Sequence, residues 1–217
     1  MAHLYSDGVT VAQRQYGGRA VAERKAERRL RFIVAGTRIF AERGYANCSL
    51  ADVCAAATLS KRQFYEEFET REDLLVAAYD RVQDEAAAAV TKALTTLPPT
   101  IDARAAVTAV LGAYLDSMNS DPYRAAIAFI EVVGVSERME QHRRERRHSW
   151  ARLLDLAVSP MAGPTARVRG GPGLGAGALI GAINGLAQEW LMTEPRPSVE
   201  ELVDLLVPMA MSLIDID

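Results

Sequence analysis

An all-α fold is what the sequence predicts, and three observations carry that prediction. Apolar residues recur at spacings of three and four along most of the chain rather than alternating. Ser, Thr or Asp stands repeatedly just ahead of such runs, where helix starts need a capping oxygen. Aromatic residues are only 6% of the chain and alanine is abundant, which suits closely packed helices better than a sheet sandwich. With 217 residues, 49% hydrophobic and 24% charged, the chain can build a small domain on a larger one.

Residues 1–21 are weakly periodic and contain Gly17-Gly18. They predict a flexible basic arm carrying Arg14 and Arg19, for which a disordered tail outweighs a minor-groove role. From Val21 to Arg43, Leu30, Ile33, Val34, Thr37, Phe40 and Ala41 form one apolar stripe, and Gly44 supplies the stop. Arg24, Lys25, Arg28, Arg29, Arg31 and Arg38 occupy much of the remaining surface. Ser49-Leu50-Ala51-Asp52 is a capping-box signature that opens a short helix over 50–57. Ser60 opens a second, in which Phe64 and Phe68 share a face. Thr70-Arg71-Glu72-Asp73 opens a long one to Leu94. Closely spaced helix starts with two short, tightly joined helices are helix-turn-helix geometry.

Beyond Leu97-Pro98-Pro99, helices are predicted over 101–118, over 121–135 with Pro122 in the first turn, and over 136–158. A Pro/Gly loop over 159–173 then leads to helices over 175–192 and 199–214. The sum is about nine helices, without strand hairpins or internal repeats. The division that follows is an arm over 1–21, a helix-turn-helix domain over 22–69 and a helical body over 70–217.

Charge follows the same division. Residues 1–62 carry 11 Lys/Arg against 5 Asp/Glu, and the rest carries 14 against 23. A basic head on an acidic body suits nucleic-acid binding, although a solvated charged helix gives the same count. Cys48 and Cys54 form no C-x-x-C, and six residues apart on a helix they cannot bridge; a reduced, cytoplasmic protein is expected. The N-terminus lacks the order of a signal peptide, and no run approaches a membrane span. His142 and His148 sit in a charged helix and predict exposed side chains, so no metal or cofactor is expected. The run Arg143 to Arg147 reads as a solvated face, diluted by Glu137, Glu140 and Glu145. The glycine-rich stretch after Gly163 lacks the Lys-Ser/Thr end of a phosphate loop.

Gly44, Tyr45, Ser49, Asp52, Val53, Ser60, Phe64, Tyr65, Phe68, Arg71 and Leu74 stand in an order and spacing that resembles the DNA-binding head of the TetR family. The resemblance implies a homodimeric regulator whose heads enter successive major grooves of a palindromic operator. It also implies a body that takes a small hydrophobic effector, with the last two helices pairing with their twin. A repressor released by its ligand is the expected form. The sequence departs from the family at Cys48, where Thr is usual, at Ala51, often basic, and at Thr58, where Gly is usual. Thr58 requires a strained backbone if the turn keeps its shape. Glu66 and Glu67 place carboxylates where phosphate contacts are expected.

On this reading the third helix presents Lys61, Arg62 and Gln63, of which Arg can read guanine and Gln adenine. Tyr65 is either a phosphate contact or core. Ser49, Ser60 and Thr70 at helix starts serve as caps or as phosphate contacts, and Arg71 joins Lys61 in setting register. In the body, Tyr114, Met118, Phe129 and Trp150 are candidates for an effector pocket, with plain core as the competing reading. An enzyme is not expected: no paired carboxylates lie in an apolar setting and no nucleophile has a His/Asp arrangement nearby. A dimeric binding module without DNA affinity is the other reading that Glu66 and Glu67 leave open.

Overall fold

The computed structural model describes residues 7–98, 100–162 and 167–215, with side chains described for 21–98, 100–154, 168–171 and 173–214. Helix α1 spans Asp7–Arg43, α2 Leu50–Ala57, α3 Lys61–Tyr65, α4 Arg71–Thr96 and α5 Ala103–Asn119. Helix α6, Arg124–Ala126, passes directly into a π-helical turn, Ile127–Glu131. Helices α7, Glu137–Ala162, α8, Gly171–Met192, and α9, Val199–Leu213, complete the body. The fold is all-α, as the periodicity predicts. One exception is a two-residue antiparallel pairing of β1, Arg167–Val168, with β2, Ile214–Asp215, which fastens the end of α9 beside the start of α8.

Three starts use capping boxes that the sequence signals. Ser49, Ser60 and Thr70 each accept the backbone N–H three residues on, from Asp52, Gln63 and Asp73, whose side chains reach back to the cap N–H. Ser198 and Glu201 form a fourth ahead of α9. Gly44 ends α1 at φ +84°, a conformation that glycine adopts without penalty.

Helix α1 begins at Asp7, earlier than the predicted Val21. Residues 1–6 and the side chains of Arg14 and Arg19 lie outside the described residues. The buried face of α1 is also rotated from the predicted stripe: Phe32, Ala35, Ile39 and Phe40 are buried, whereas Leu30 and Val34 are exposed. The pivot is Gly36, where a Cβ would stand 2.9 Å from the Leu74 side chain of α4. A bare backbone there lets α4 lie directly on α1.

Phe32, Phe64 and Phe68 meet as an aromatic cluster, with centroids 5.3 Å apart for Phe32–Phe64 and 5.5 Å for Phe64–Phe68. Helix α4 carries this core from Leu74 and Leu75 in the head to Val82 and Ala86 in the body. The body packs α4 on α5, α5 on α9, and α7 on α8.

Two predicted boundaries change. The loop over 159–173 is shorter, because α7 continues to Ala162 and α8 begins at Gly171 with Pro172 in its first turn. Glycine content signals a loop, but here it permits contact: a Cβ on Gly175 would fall 1.9 Å from the Arg169 carbonyl oxygen. The predicted helix over 121–135 is likewise reduced to α6 and its π turn.

Candidate nucleic-acid interface and effector cavity

Helix α3 stands on α1 and α2 through Phe64, which is fully buried. Its first turn therefore points outward. Lys61 is exposed, and the Arg62 side chain is 91% exposed, touching Glu66 at 3.4 Å. Tyr65 is 61% exposed, with its ring edge-on to Phe64, so it is not core. Gln63 is less free than its position suggests: its Oε1 accepts the Ser60 backbone N–H at 2.9 Å and the Ser60 hydroxyl at 3.0 Å. The capping oxygens are similarly engaged. The Ser49 hydroxyl donates to Asp52 and the Thr70 hydroxyl to Asp73.

Arg71 braces the turn after α1. Its Nη1 donates to the Tyr45 carbonyl at 3.2 Å, and its guanidinium lies 5.1 Å from the Tyr45 ring centroid. Glu66 and Glu67 are drawn back toward α1. Arg28 donates through Nε and Nη2 to Glu67 Oε1 at 2.9 and 2.8 Å, and approaches Glu66 at 3.3 Å. Arg29 adds a bond to the Glu67 carbonyl and covers the Phe68 ring at 4.3 Å. Much of the basic surface of α1 thus fixes α3. Arg31 does the same for the helix-turn-helix corner, donating to the Ala57 and Thr58 carbonyls. Thr58 itself sits at φ 54°, ψ 44°, the left-handed conformation expected of this turn.

The body contains a cavity, partly open to solvent, between α4, α5, α7 and α8. Val90, Val110, Leu111, Ile180 and Ile183 give it an apolar wall. Tyr79, Gln83, Tyr114 and Asn184 add polar groups, and Trp150 closes one side with its indole N–H on Gln83 Oε1 at 2.7 Å. Of the predicted pocket residues, Tyr114 and Trp150 line the cavity, ring centroids 5.2 Å apart. Met118 and Phe129 do not: both are core, 1% and 2% exposed, and Ala128 is the residue of the π turn that reaches the cavity.

The predicted solvated face of α7 is corrected as well. Arg143 and Arg147 line the cavity, while Arg146 pairs with Asp80 and Asp84 of α4. His142 is half-buried, with Nε2 2.7 Å from Asp80 Oδ1, whereas His148 is exposed as expected. The signal for this face was the spacing 143, 147, 150, 154, one stripe on a helix, masked by intervening charges.

Cys48 and Cys54 are buried free thiols, and burial pushes both pKa values up. Among the described residues no cluster of His, Cys, Asp and Glu could hold a metal ion, and no helix is long and apolar enough to cross a membrane.

Residues 32–78 match the family described as bacterial regulatory proteins, tetR family. Solved structures share the fold. FadR from Bacillus subtilis, a transcriptional regulator solved in complex with stearoyl-CoA, superposes with a TM-score of 0.69 at 15% identity, over 86% of this chain and 99% of that one. The fatty acid degradation regulator FadR from Bacillus halodurans gives 0.70 at 16% identity, over 85% and 94%. A putative transcriptional regulator from Pseudomonas aeruginosa PAO1 gives 0.69 at 21%, over 87% and 90%. No curated protein matches the chain significantly.

Proposed function

We propose that the chain, whose residues 32–78 match the tetR family of bacterial regulatory proteins, is a regulator of that kind: a cytoplasmic repressor, homodimeric, which leaves a palindromic operator when a small, largely hydrophobic molecule enters the body cavity. The observation that carries this reading is α3: a short helix anchored by buried Phe64 with Lys61 and Arg62 exposed on its first turn.

In this reading Arg62 reads a base edge in the major groove, and Gln63 joins it by exchanging its capping bond for one to a base. Lys61 and Tyr65 contact phosphates. Ser49, Ser60 and Thr70 hold three helix N-termini toward the backbone, where exposed N–H groups favour anions. Arg71, fixed over Tyr45, adds a positive charge beside them. With Arg28 holding Glu66 and Glu67, their carboxylates oppose phosphate less than their positions in sequence suggest.

The dimer surface in this reading is the outer face of α8 and α9. Ala178 and Gly185 are exposed on α8, and Leu205 and Met209 are 59% and 47% exposed on α9. Small residues on one helix beside large apolar residues on the next suit close packing against a second copy. The stearoyl-CoA bound by the Bacillus subtilis neighbour supports a small-molecule effector for the cavity. Regulation, not catalysis, is the role assigned to it.

The test is selection from random duplexes at two salt concentrations, with Arg62→Ala in parallel. Enrichment of a palindrome, weakened by salt and relaxed at one base position by the substitution, is expected. Folded, dimeric protein that enriches no sequence at low salt would leave a binding module without DNA affinity.

A further inference from the structure

The cavity has two chemically different ends. Helices α4 and α7 run side by side in the same direction, as the contacts Asp73–Arg138, Asp80–His142 and Gln83–Trp150 show. Tyr79 and Arg143 therefore lie at the end nearer the head, Arg147 one turn further along α7 beside the level of Asp84, and Val90 and Leu154 at the far end. From Arg147 to Leu154 the axial run is about 10 Å at 1.5 Å per residue. The cavity wall thus carries cationic and phenolic groups in the half nearer the head and apolar groups beyond them.

The two arginines are not equivalent. Arg143 is matched by Glu140, whose two carboxylate oxygens accept from Nη1 at 2.7 and 2.8 Å. Arg147 is half-buried and makes no hydrogen bond or close ion pair among the described residues; the nearest carboxylate charge acting with it is that of Glu140, which is already bound to Arg143. A guanidinium partly withdrawn from water without direct hydrogen bonds is unfavourable, and carboxylate or phosphate oxygens satisfy its planar fork. The Tyr79 and Tyr114 hydroxyls also lack hydrogen-bond partners among the described residues. Burial raises both phenol pKa values, so both remain donors at neutral pH.

We propose that the cavity takes an amphiphile with one anionic head and an unbranched apolar tail, seated with its head on Arg147 and its tail toward Val90 and Leu154. The inference rests on the effector-cavity reading above and adds to it the ligand's charge and direction. A free carboxylate and an acyl thioester of a phosphorylated carrier share this chemistry. The ligand's charged end lies beside the stretch of α4 that continues toward the DNA-binding head, so anion binding and operator binding draw on parts of one helix.

The experiment uses the full chain and Trp150 fluorescence, with Trp150→Phe assigning the signal against Trp190. Dodecanoate, dodecanoyl-coenzyme A and dodecanol are titrated separately. At least one anion binds saturably and about tenfold or more tighter than the alcohol; which one does so identifies the source. Arg147→Met removes that preference while dodecanol binding persists, and Arg147→Lys restores part of it. A merely structural role for Arg147 would instead weaken acid and alcohol together. Dodecanol binding as tightly as both anions, no binding of either anion to protein of wild-type helicity, or an unchanged preference in Arg147→Met would overturn the proposal. Duplex binding by the same samples is scored separately. Its loss counts against the regulator alone, and its presence without an anion preference counts against this inference alone.

Discussion

The Glu131 carboxylate accepts the backbone N–H of Tyr45 at 2.6 Å, tying the π turn of the body to the turn that ends α1. On the same π turn Ala128 touches the cavity, and on the head side Arg71 grips the Tyr45 carbonyl and ring. Tyr123 adds a second tie, donating its hydroxyl to Glu42 at 2.9 Å. A ligand that displaces the π turn thus has a short physical route to the head.

Glu131→Ala removes the acceptor and leaves the Tyr45 N–H without it, at a cost of about 1–3 kcal/mol in stability. The functional expectation is sharper: ligand-induced release of duplex weakens while ligand binding persists. Measuring duplex affinity with and without saturating ligand decides it. A full ligand response in the variant would rule out this route.

Arg28 is as much a part of the DNA-binding head as α3. The Glu67 side chain is 1% exposed; Arg28 bonds its Oε1, and its Oε2 has no hydrogen-bond partner among the described residues. Arg28→Ala strands that charge. Because the arginine is itself 26% exposed, the cost falls below that of a fully buried pair, at about 2–3 kcal/mol. Duplex affinity falls too, since Glu66 and Glu67 lose their cation beside α3. Urea unfolding and duplex titration check the two effects; wild-type values in both would show that the pair holds nothing.

Thr58 at φ 54° holds a conformation that costs a non-glycine residue about 1–2 kcal/mol. Thr58→Gly recovers part of that against the greater freedom of unfolded glycine, for a net gain of about 0.5–1 kcal/mol. Thr58→Ala keeps the strained Cβ and gains nothing. The urea midpoints of the three proteins should order accordingly, and a glycine variant no more stable than wild type would place no strain at this corner.

Acid should loosen the start of α2. The side-chain bond from Ser49, with its backbone N–H second, holds the Asp52 carboxyl below its usual value. A depressed carboxylate contributes stability that is present above the unfolded pKa of about 3.9 and is lost as pH falls through the folded value. Asp52→Asn therefore shows a shallower loss of stability below about pH 4. Parallel acid titrations by circular dichroism provide the comparison.

What the sequence disclosed was local chemistry; what it concealed depended on neighbours. The capping boxes at Ser49 and Thr70 and the left-handed Thr58 were legible because each is settled within a few residues. The α1 stripe was misplaced because Gly36 admits Leu74, a contact made by a residue of another helix. Glu67 read as a liability until folding brought Arg28 to it. Arg143 and Arg147 read as solvent-facing because their charges hid a four-residue spacing that only the position of α4 turns inward. Met118 and Phe129 illustrate the reverse: apolar periodicity marks buried positions but does not separate a cavity wall from solid core.

Leu205 and Met209 supply the last prediction. On α9, Leu202 and Leu206 are buried at 2% and 1%, whereas Leu205 and Met209 face outward at 59% and 47%. Leu205 consequently contributes little to the fold of one chain and much to any surface that covers it. Covering a leucine contributes about 1.5–3 kcal/mol, and burying an unpaired carboxylate in its place costs more. Leu205→Glu should weaken self-association by about a hundredfold or more while the subunit keeps its helical content. Sedimentation over a range of concentrations measures this. A variant that remains dimeric would move the interface away from the outer face of α9. A monomer that also loses duplex affinity would tie dimer formation to the spacing of two α3 helices along DNA.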